Sequence, residues 1–149
     1  MNSEYQLLLK QAEALISTES DPIANAANLS SLVYNHLENV NWVGFYYLRG
    51  DELVLGPFSG QPACTRIPVG KGVCGTAFAE QATQVVGDVH QFPGHIACDA
   101  ASESEVVVPF KTEGLSGVFD VDSPTLNRFS SDEVSLLESI CDAYRATLC

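Results

Sequence analysis

The sequence predicts an α+β fold in which helices pack on one β-sheet, and three observations support this class. Two amphipathic helical segments open the chain, at residues 3–18 and from Asp21 onward. The centre alternates short runs of aromatic and β-branched residues with glycine and proline, as strands and turns do. Another amphipathic helix follows Ser130. Since no repeat or linker interrupts the 149 residues, we expect one domain, 1–149.

Capping residues predict where the first two helices begin. Ser3 and Gln6 fit a capping box for the first helix. Asp21 and Pro22 form a start signal for the second, with Asp as the N-cap and Pro at the first helical position. His36 lies on or beside the apolar face of that helix, and we interpret it as structural.

The strands begin after residue 41. WVGFYYL and ELVLGPF predict a hairpin with its turn at residues 49–51, and Trp42 and Tyr46 share one face of its first strand. The remaining predicted elements are an extended piece at 66–69, a glycine-rich turn at 70–72, a short helix at 74–81, a strand at 84–86, an irregular loop at 87–104, strands at 105–111 and 116–121, and a final helix with a capping box of Ser130 and Glu133.

Composition and charge exclude several classes of protein. The net charge is −12 with only seven Lys and Arg, so no basic patch for nucleic acid or a membrane surface can be assembled. No segment is long and apolar enough for a membrane span, and the N-terminus does not resemble a signal peptide. We therefore expect a cytoplasmic protein, whose five cysteines are thiols by default.

Three of those cysteines lie in shaped loops between residues 64 and 105. Cys74 follows Gly-Lys-Gly at the start of a predicted helix, where the helix dipole and Lys71 would lower the pKa of its thiol. Cys98 lies between His95 and Asp99, and Cys64 precedes a strand. Each cysteine alone fits a buried small side chain, but three in loops favour redox chemistry. Cys141 falls on the apolar stripe of the last helix and is interpreted as a core residue.

A metal site at the histidines is not predicted. His90, His95, Cys98 and Asp99 are potential ligands within ten residues, but their spacing fits no standard zinc module.

Two carboxylates form a second candidate site. Asp120 and Asp122 alternate onto one face of a predicted strand, about 7 Å apart because each residue rises about 3.3 Å. An exposed polar face would explain the alternation. The sharper interpretation is a pocket wall that binds an ammonium group or holds one acid protonated, since like charges raise the pKa of one partner. Glu105, at the start of the neighbouring strand, would complete the cluster.

At these residues the sequence resembles the free methionine-(R)-sulfoxide reductases, which are single GAF-fold domains. The similar segments are NWVGFYYL at 41–48, LGPFSGQPACTRIPVGKGVCGTA at 55–77, VGDVHQFPGHIACDAASESEVVVP at 86–109 and GVFDVDSP at 117–124. They cover about half of the chain and include all three loop cysteines. The resemblance implies a mostly antiparallel sheet of about six strands, with the N- and C-terminal helices packed on one face.

The resemblance also implies a reaction, the reduction of free L-methionine (R)-S-oxide. Cys98 would be the nucleophile that becomes a sulfenic acid, and Cys64 would resolve it as a disulfide, with Cys74 as the alternative resolving thiol. Thioredoxin, which receives its electrons from NADPH, would reduce the disulfide again. No cofactor would be bound, and the protein would be a homodimer.

The same resemblance suggests how the pocket side chains divide the work. Glu105 with Asp122 would protonate the sulfoxide oxygen, and Asp120 would mainly bind the ammonium group. Trp42 and Tyr46 would pack on the methyl-sulfur end. Asp88 would also contact the amino acid.

A GAF module that binds a ligand or senses redox state without turnover is the alternative. A sensor is usually joined to an output domain, and this sequence stops soon after its last predicted helix, so we expect the enzyme.

Overall fold

The computed structural model describes residues 1–96 and 101–148. Its elements in chain order are α1 (Ser3–Ile16), α2 (Pro22–His36), β1 (Trp42–Arg49), β2 (Glu52–Gly60), β3 (Arg66–Pro68), α3 (Gly72–Glu80), β4 (Gln84–Val86), a short 3₁₀ helix (Val89–Gln91), β5 (Ser104–Phe110), β6 (Gly117–Ser123) and α4 (Ser131–Ala146). The strands form one sheet in the order β3-β2-β1-β6-β5-β4, and every neighbouring pair is antiparallel. The predicted α+β class and six-stranded sheet are confirmed.

Local hydrogen bonds explain where the helices begin. In α2 the carboxylate of Asp21 accepts from two first-turn backbone N–H groups, as predicted, and the capping box of α4 is also present. The predicted box at the start of α1 is wrong, because Asn2 is the N-cap and its side chain accepts from the N–H of Tyr5. The loop after β4 is more regular than predicted, since Asp88 caps the 3₁₀ helix.

The two faces of the sheet bury different cores. On one face Phe45 and Phe119 pack with α1, α2 and α4, and Cys141 lies in this larger core as predicted. The terminal helices therefore share one face, which confirms the expected arrangement. On the other face Trp42 and Tyr46 pack with α3 in a smaller cluster. Strand alternation thus separates the packing core from the face that carries the polar side chains.

Strand register on that second face brings distant residues together. Asp122 of β6 pairs with Trp42 of β1 on one side and with Glu105 of β5 on the other. Asp120, two residues earlier, pairs with Gly44 and Val107. In antiparallel sheets such directly opposed residues have neighbouring side chains.

Within the described residues, none of the helices has both the length and the apolar character needed to cross a bilayer.

Candidate active site

A pocket of about 40 Å³ lies between the second face of the sheet and the start of α3. It brings together six of the predicted site residues: Trp42, Tyr46, Cys74, Glu105, Asp120 and Asp122. The other lining residues are Ala63, Ile67, Gly72, Val73, His95, Ile96 and Ser102. No Lys or Arg is among these described lining residues, so the acids face one another without a permanent cation.

The acids are buried, which excludes an exposed polar face. Asp120 is only 5% exposed, and its Oδ1 atom is buried without a hydrogen-bond partner. Burial raises the pKa of Asp120 well above its ordinary value, and the neighbouring Asp122, Cys74 and Glu105 raise it further. A buried carboxylate in this position lacks a compensating positive charge, and a cationic ligand group would supply it.

Cys74 points into the same cluster rather than toward the exposed side of α3. Its Sγ lies 3.5 Å from Oδ2 of Asp120, to which the thiol donates, and 4.0 Å from Oε2 of Glu105. Burial raises the pKa of this thiol well above its ordinary value, and the charges of Glu105 and Asp122 add to the effect, although the bond to Asp120 opposes it. The expected lowering of the pKa is therefore wrong. Lys71 is exposed at the N-cap, whereas the thiol faces buried acids.

Trp42 and Tyr46 connect the pocket to the loop that carries Cys64. The indole Nε1–H of Trp42 donates to the carbonyl of Gln61 at 3.1 Å. The hydroxyl of Tyr46 donates to the carbonyl of Cys64 at 2.9 Å. Burial, followed by the charge of Asp120, raises the pKa of Tyr46, so its hydroxyl stays a neutral donor. Both rings therefore line the pocket and also fix the position of this loop, a role that the strand pattern alone did not indicate.

The cysteines differ in state as well as in place. Cys64 is half-buried between β2 and β3 and is disulfide-bonded, whereas Cys74 and Cys141 are free thiols. Cys98, the predicted nucleophile, lies outside the described residues. Its predicted role therefore stays a prediction.

Asp88 is the predicted substrate contact that the structure does not bring to the pocket. Its Oδ1 accepts from the backbone N–H of His90 at 3.0 Å and lies 3.1 Å from the Nδ1 of that ring. Glu103 lies 3.4 Å from the same Nδ1.

Two groups of side chains in the described residues have the spacing to hold a metal ion: Asp88, His90 and Glu103 at the surface, and Cys74, Glu105 and Asp120 in the pocket.

Sequence reasoning missed several lining residues. Ser102 is buried beside the acids, yet a serine outside any periodic pattern carries no recognisable signal. Gly72 has φ +62°, and a Cβ there would meet the side chain of Ile96 at 3.3 Å. The Gly-Lys-Gly turn was a signal for such a close approach, although it did not identify Ile96 as the partner.

Comparisons with known proteins agree with this architecture. The sequence model of the GAF domain family matches residues 24–148 of this chain. The free methionine-R-sulfoxide reductase of Escherichia coli (strain K12) is 50% identical over 130 residues, which is 87% of this chain and 79% of that protein.

Solved structures of similar proteins superpose closely on this one. The free methionine-R-sulfoxide reductase of Neisseria meningitidis, solved in complex with its substrate, is 40% identical and has a TM-score of 0.92, with 99% of this chain and 91% of that chain covered. The protein named fRMsr of Staphylococcus aureus, also solved in complex with its substrate, is 51% identical with a TM-score of 0.92, and 100% of this chain and 98% of that chain are covered.

Proposed function

Because this chain belongs to the free methionine-R-sulfoxide reductase family of GAF domains, we propose that it reduces free L-methionine (R)-S-oxide to L-methionine. The observation that carries the proposal is the buried cluster of Cys74, Glu105, Asp120 and Asp122, which has no Lys or Arg among its described pocket neighbours. A methionine sulfoxide residue within a protein chain has no free α-ammonium group, whereas the free amino acid has one. The cluster therefore favours the free amino acid over methionine sulfoxide within proteins.

Asp120 is the proposed partner of the ammonium group. Its buried Oδ1 atom has an open position for a hydrogen-bond donor. Burial and the neighbouring acids raise its pKa, which is the expected behaviour of a carboxyl group that lacks its cation. An ammonium group would supply up to three donors and one positive charge at this point.

Glu105 and Asp122 are the proposed source of the proton for the sulfoxide oxygen. They are opposed in register on β5 and β6, and Trp42 continues the same row on β1. The indole would pack on the methyl-sulfur end of the substrate, and the sulfoxide oxygen would then lie beside these two acids. Adjacent carboxyl groups that share one proton can deliver it as the sulfur–oxygen bond breaks.

The proposed thiol chemistry has two steps. The Cys98 thiolate attacks the sulfoxide sulfur, and the oxygen is transferred to Cys98, which becomes a sulfenic acid as methionine leaves. A second thiol then attacks the sulfenic acid, water leaves, and a disulfide forms. Cys64 is our choice for that thiol, as the resemblance implies, and its disulfide-bonded state is consistent with such a role.

Cys74 fits the second step less well, although it lies in the pocket. Its thiol is 4% exposed, and burial among acids raises its pKa, so little thiolate is available for attack. A neutral thiol that donates to Asp120 fits a role in shaping the acid cluster.

The rest of the proposal is that thioredoxin, reduced at the expense of NADPH, regenerates the enzyme, and that the protein acts in the cytoplasm as a homodimer without a bound cofactor.

A single-turnover experiment tests the proposal. Fully reduced protein is mixed with L-methionine (R)-S-oxide without a recycling reductant, and methionine and remaining thiols are counted. We expect one methionine per two thiols, no reaction with the (S) epimer, and loss of methionine formation in Cys98→Ser. Cys141→Ser is the matched control, because Cys141 is a free thiol on the opposite face of the sheet and should leave the yield unchanged.

The outcomes separate the alternatives. No methionine from the wild type, combined with tight binding of another small molecule, would replace the reductase by a ligand-binding sensor. Turnover that survives Cys98→Ser but not Cys64→Ser would keep the reaction and exchange the two roles.

A further inference from the structure

The floor of the pocket also has the geometry of a site for a thiophilic metal ion. Cys74, Glu105 and Asp120 each offer one ligand atom, and these atoms all lie within 4.8 Å of one another. Zinc binds thiolate sulfur at about 2.3 Å and carboxylate oxygen at about 2.1 Å, so a tetrahedral site separates sulfur from oxygen by about 3.6 Å. The observed distances from Sγ of Cys74 are 3.5 Å to Asp120 and 4.0 Å to Glu105.

Burial and charge favour a cation at the same point. Asp120 is 5% exposed, its Oδ2 faces the thiol of Cys74 in the cluster, and its Oδ1 is buried without a hydrogen-bond partner, so one oxygen of this carboxylate is unused. None of the described lining residues is Lys or Arg. The volume of about 40 Å³ exceeds the roughly 10–15 Å³ that one water requires, so an ion and a water as fourth ligand have room.

We propose that the reduced protein binds Zn²⁺ through Cys74, Asp120 and Glu105, and that the bound ion occupies the position of the substrate ammonium group. The cation is a thiophilic one because a thiolate is a poor ligand for Mg²⁺ or Ca²⁺, whereas Zn²⁺ accepts sulfur and oxygen together. Coordination releases the thiol proton to solvent and forms a sulfur–zinc bond without any change of oxidation state. The metal site stands on its own geometry, and only its competition with substrate rests on the proposed function.

The surface group of Asp88, His90 and Glu103 is the competing explanation for any metal that binds. His90 is exposed and the two acids are half-buried, and the short distances of 3.1 and 3.4 Å are those of ion pairs from His90 to Asp88 and Glu103. It contains no thiol. A metal bound there would therefore lack the sulfur signature of the pocket site, which makes the two sites distinguishable.

Co²⁺ is the probe, because thiolate-bound Co²⁺ has an intense near-ultraviolet charge-transfer band. The titration uses the reduced Cys64→Ser/Cys98→Ser protein, so that no other loop thiol can produce the band. We expect one equivalent of Co²⁺ to develop it and Zn²⁺ to abolish it. Adding Cys74→Ser to this background should remove the band. Failure of any band to appear, or a band that survives Cys74→Ser, would overturn the proposal.

Two further variants keep the test independent of folding defects. Asp120→Asn keeps the shape of the side chain and removes one ligand charge, and it should weaken Co²⁺ binding by at least about tenfold, since even outer partners of a metal site contribute that much. His90→Asn disrupts the surface group and should leave the band and its midpoint unchanged. Equal weakening by both variants would contradict the assignment.

The functional consequence is measured in wild-type protein. We expect Zn²⁺ to raise the KM for methionine (R)-S-oxide without lowering kcat, as a competitor for the ammonium position does. Inhibition that lowers kcat alone would place the ion elsewhere and refute the competition. If the protein forms no methionine, the proposed reaction fails, while the cobalt band still decides whether the metal site exists.

Discussion

Replacing Asp120 by Asn should make the protein more stable at neutral pH while it weakens substrate binding. The carboxyl group is buried beside Asp122, Cys74 and Glu105, and its pKa is raised by burial and by their charges. A group with a raised folded pKa contributes its full stability below the unfolded value of about 3.9, and this contribution is lost as the pH rises through the folded pKa. The wild type therefore carries a cost at neutral pH that Asn does not carry.

The size of the effect follows from the strand geometry. Asp120 and Asp122 are two residues apart on β6, so their Cα atoms are about 7 Å apart, while their carboxyl groups come within hydrogen-bonding reach of each other. Two like charges even about 7 Å apart repel by about 2 kcal/mol with an effective dielectric constant of about 20, and sharing of a proton by the closer carboxyl groups keeps the cost on this scale. Relief of this repulsion should raise the free energy of unfolding by up to about 2 kcal/mol. For a chain of 149 residues, that corresponds to a Tm higher by about 4 to 8 °C.

The assay is thermal or urea unfolding of the reduced wild type and Asp120→Asn across pH 4 to 8. We expect the stability difference to be small at pH 4 and to grow toward neutral pH. Asp142→Asn, which removes a carboxylate that is 79% exposed on α4, is the control and should show no such growth. A variant that is less stable than the wild type at neutral pH would refute the account of Asp120 as an uncompensated buried acid.

Three further predictions concern other parts of the molecule. Gly44→Ala would place a Cβ 2.6 Å from the ring of Trp42 and 2.4 Å from Cβ of Phe58, so it should cost about 1–3 kcal/mol in urea unfolding and raise KM, whereas Gly114→Ala, at a position with open space, should be neutral. Trp42→Phe removes the hydrogen bond that holds the Cys64 loop at Gln61, so in stopped-flow thiol counting disulfide formation should slow, relative to the wild type, more than methionine formation does. Equal slowing of both steps would contradict this. Glu133 is buried, but its bonds with Ser130 and Arg128 lower its pKa on balance, so its contribution to the free energy of unfolding is present above about pH 4.3 and is lost as the pH falls through the lower folded pKa. Glu133→Gln should therefore lower the free energy of unfolding by about 1.5–3 kcal/mol at pH 7 and by less at pH 3. A loss of stability that does not depend on pH would contradict the ion pair.

Much of the fold could be predicted from the sequence because its signals are local. Alternation along β1 and β6 correctly separated the two faces of the sheet, since side chains on a strand point alternately to opposite sides. Asp21 with Pro22 correctly started α2, because the carboxylate can reach the first-turn N–H groups from that position. The cap of α1 was missed by one residue, since Asn2 and Ser3 are both good N-caps and the sequence does not rank them.

The environment of the site was harder to predict. The strand pattern placed Asp120 and Asp122 together, but the row from Trp42 through Asp122 to Glu105 depends on strand order and register, which are set by distant parts of the chain. Cys74 shows the same limit. Its position at a helix start indicated a lowered pKa, whereas burial beside carboxylates raises it. The position of Cys74 near the start of α3 was predicted correctly from local sequence, but the buried acids around its thiol come from distant parts of the chain.

The central claim is that buried acids select the free amino acid through its ammonium group. The most direct measurement compares kcat/KM for L-methionine (R)-S-oxide with kcat/KM for its N-acetyl derivative, which keeps the sulfoxide and lacks the charge. Loss of one partner of a buried charge pair costs about 2–5 kcal/mol, so we expect the N-acetyl compound to be poorer by about 30-fold to several thousand-fold. Equal kcat/KM values for the two compounds would contradict the claim, because the acids at Asp120 would then have no part in recognition.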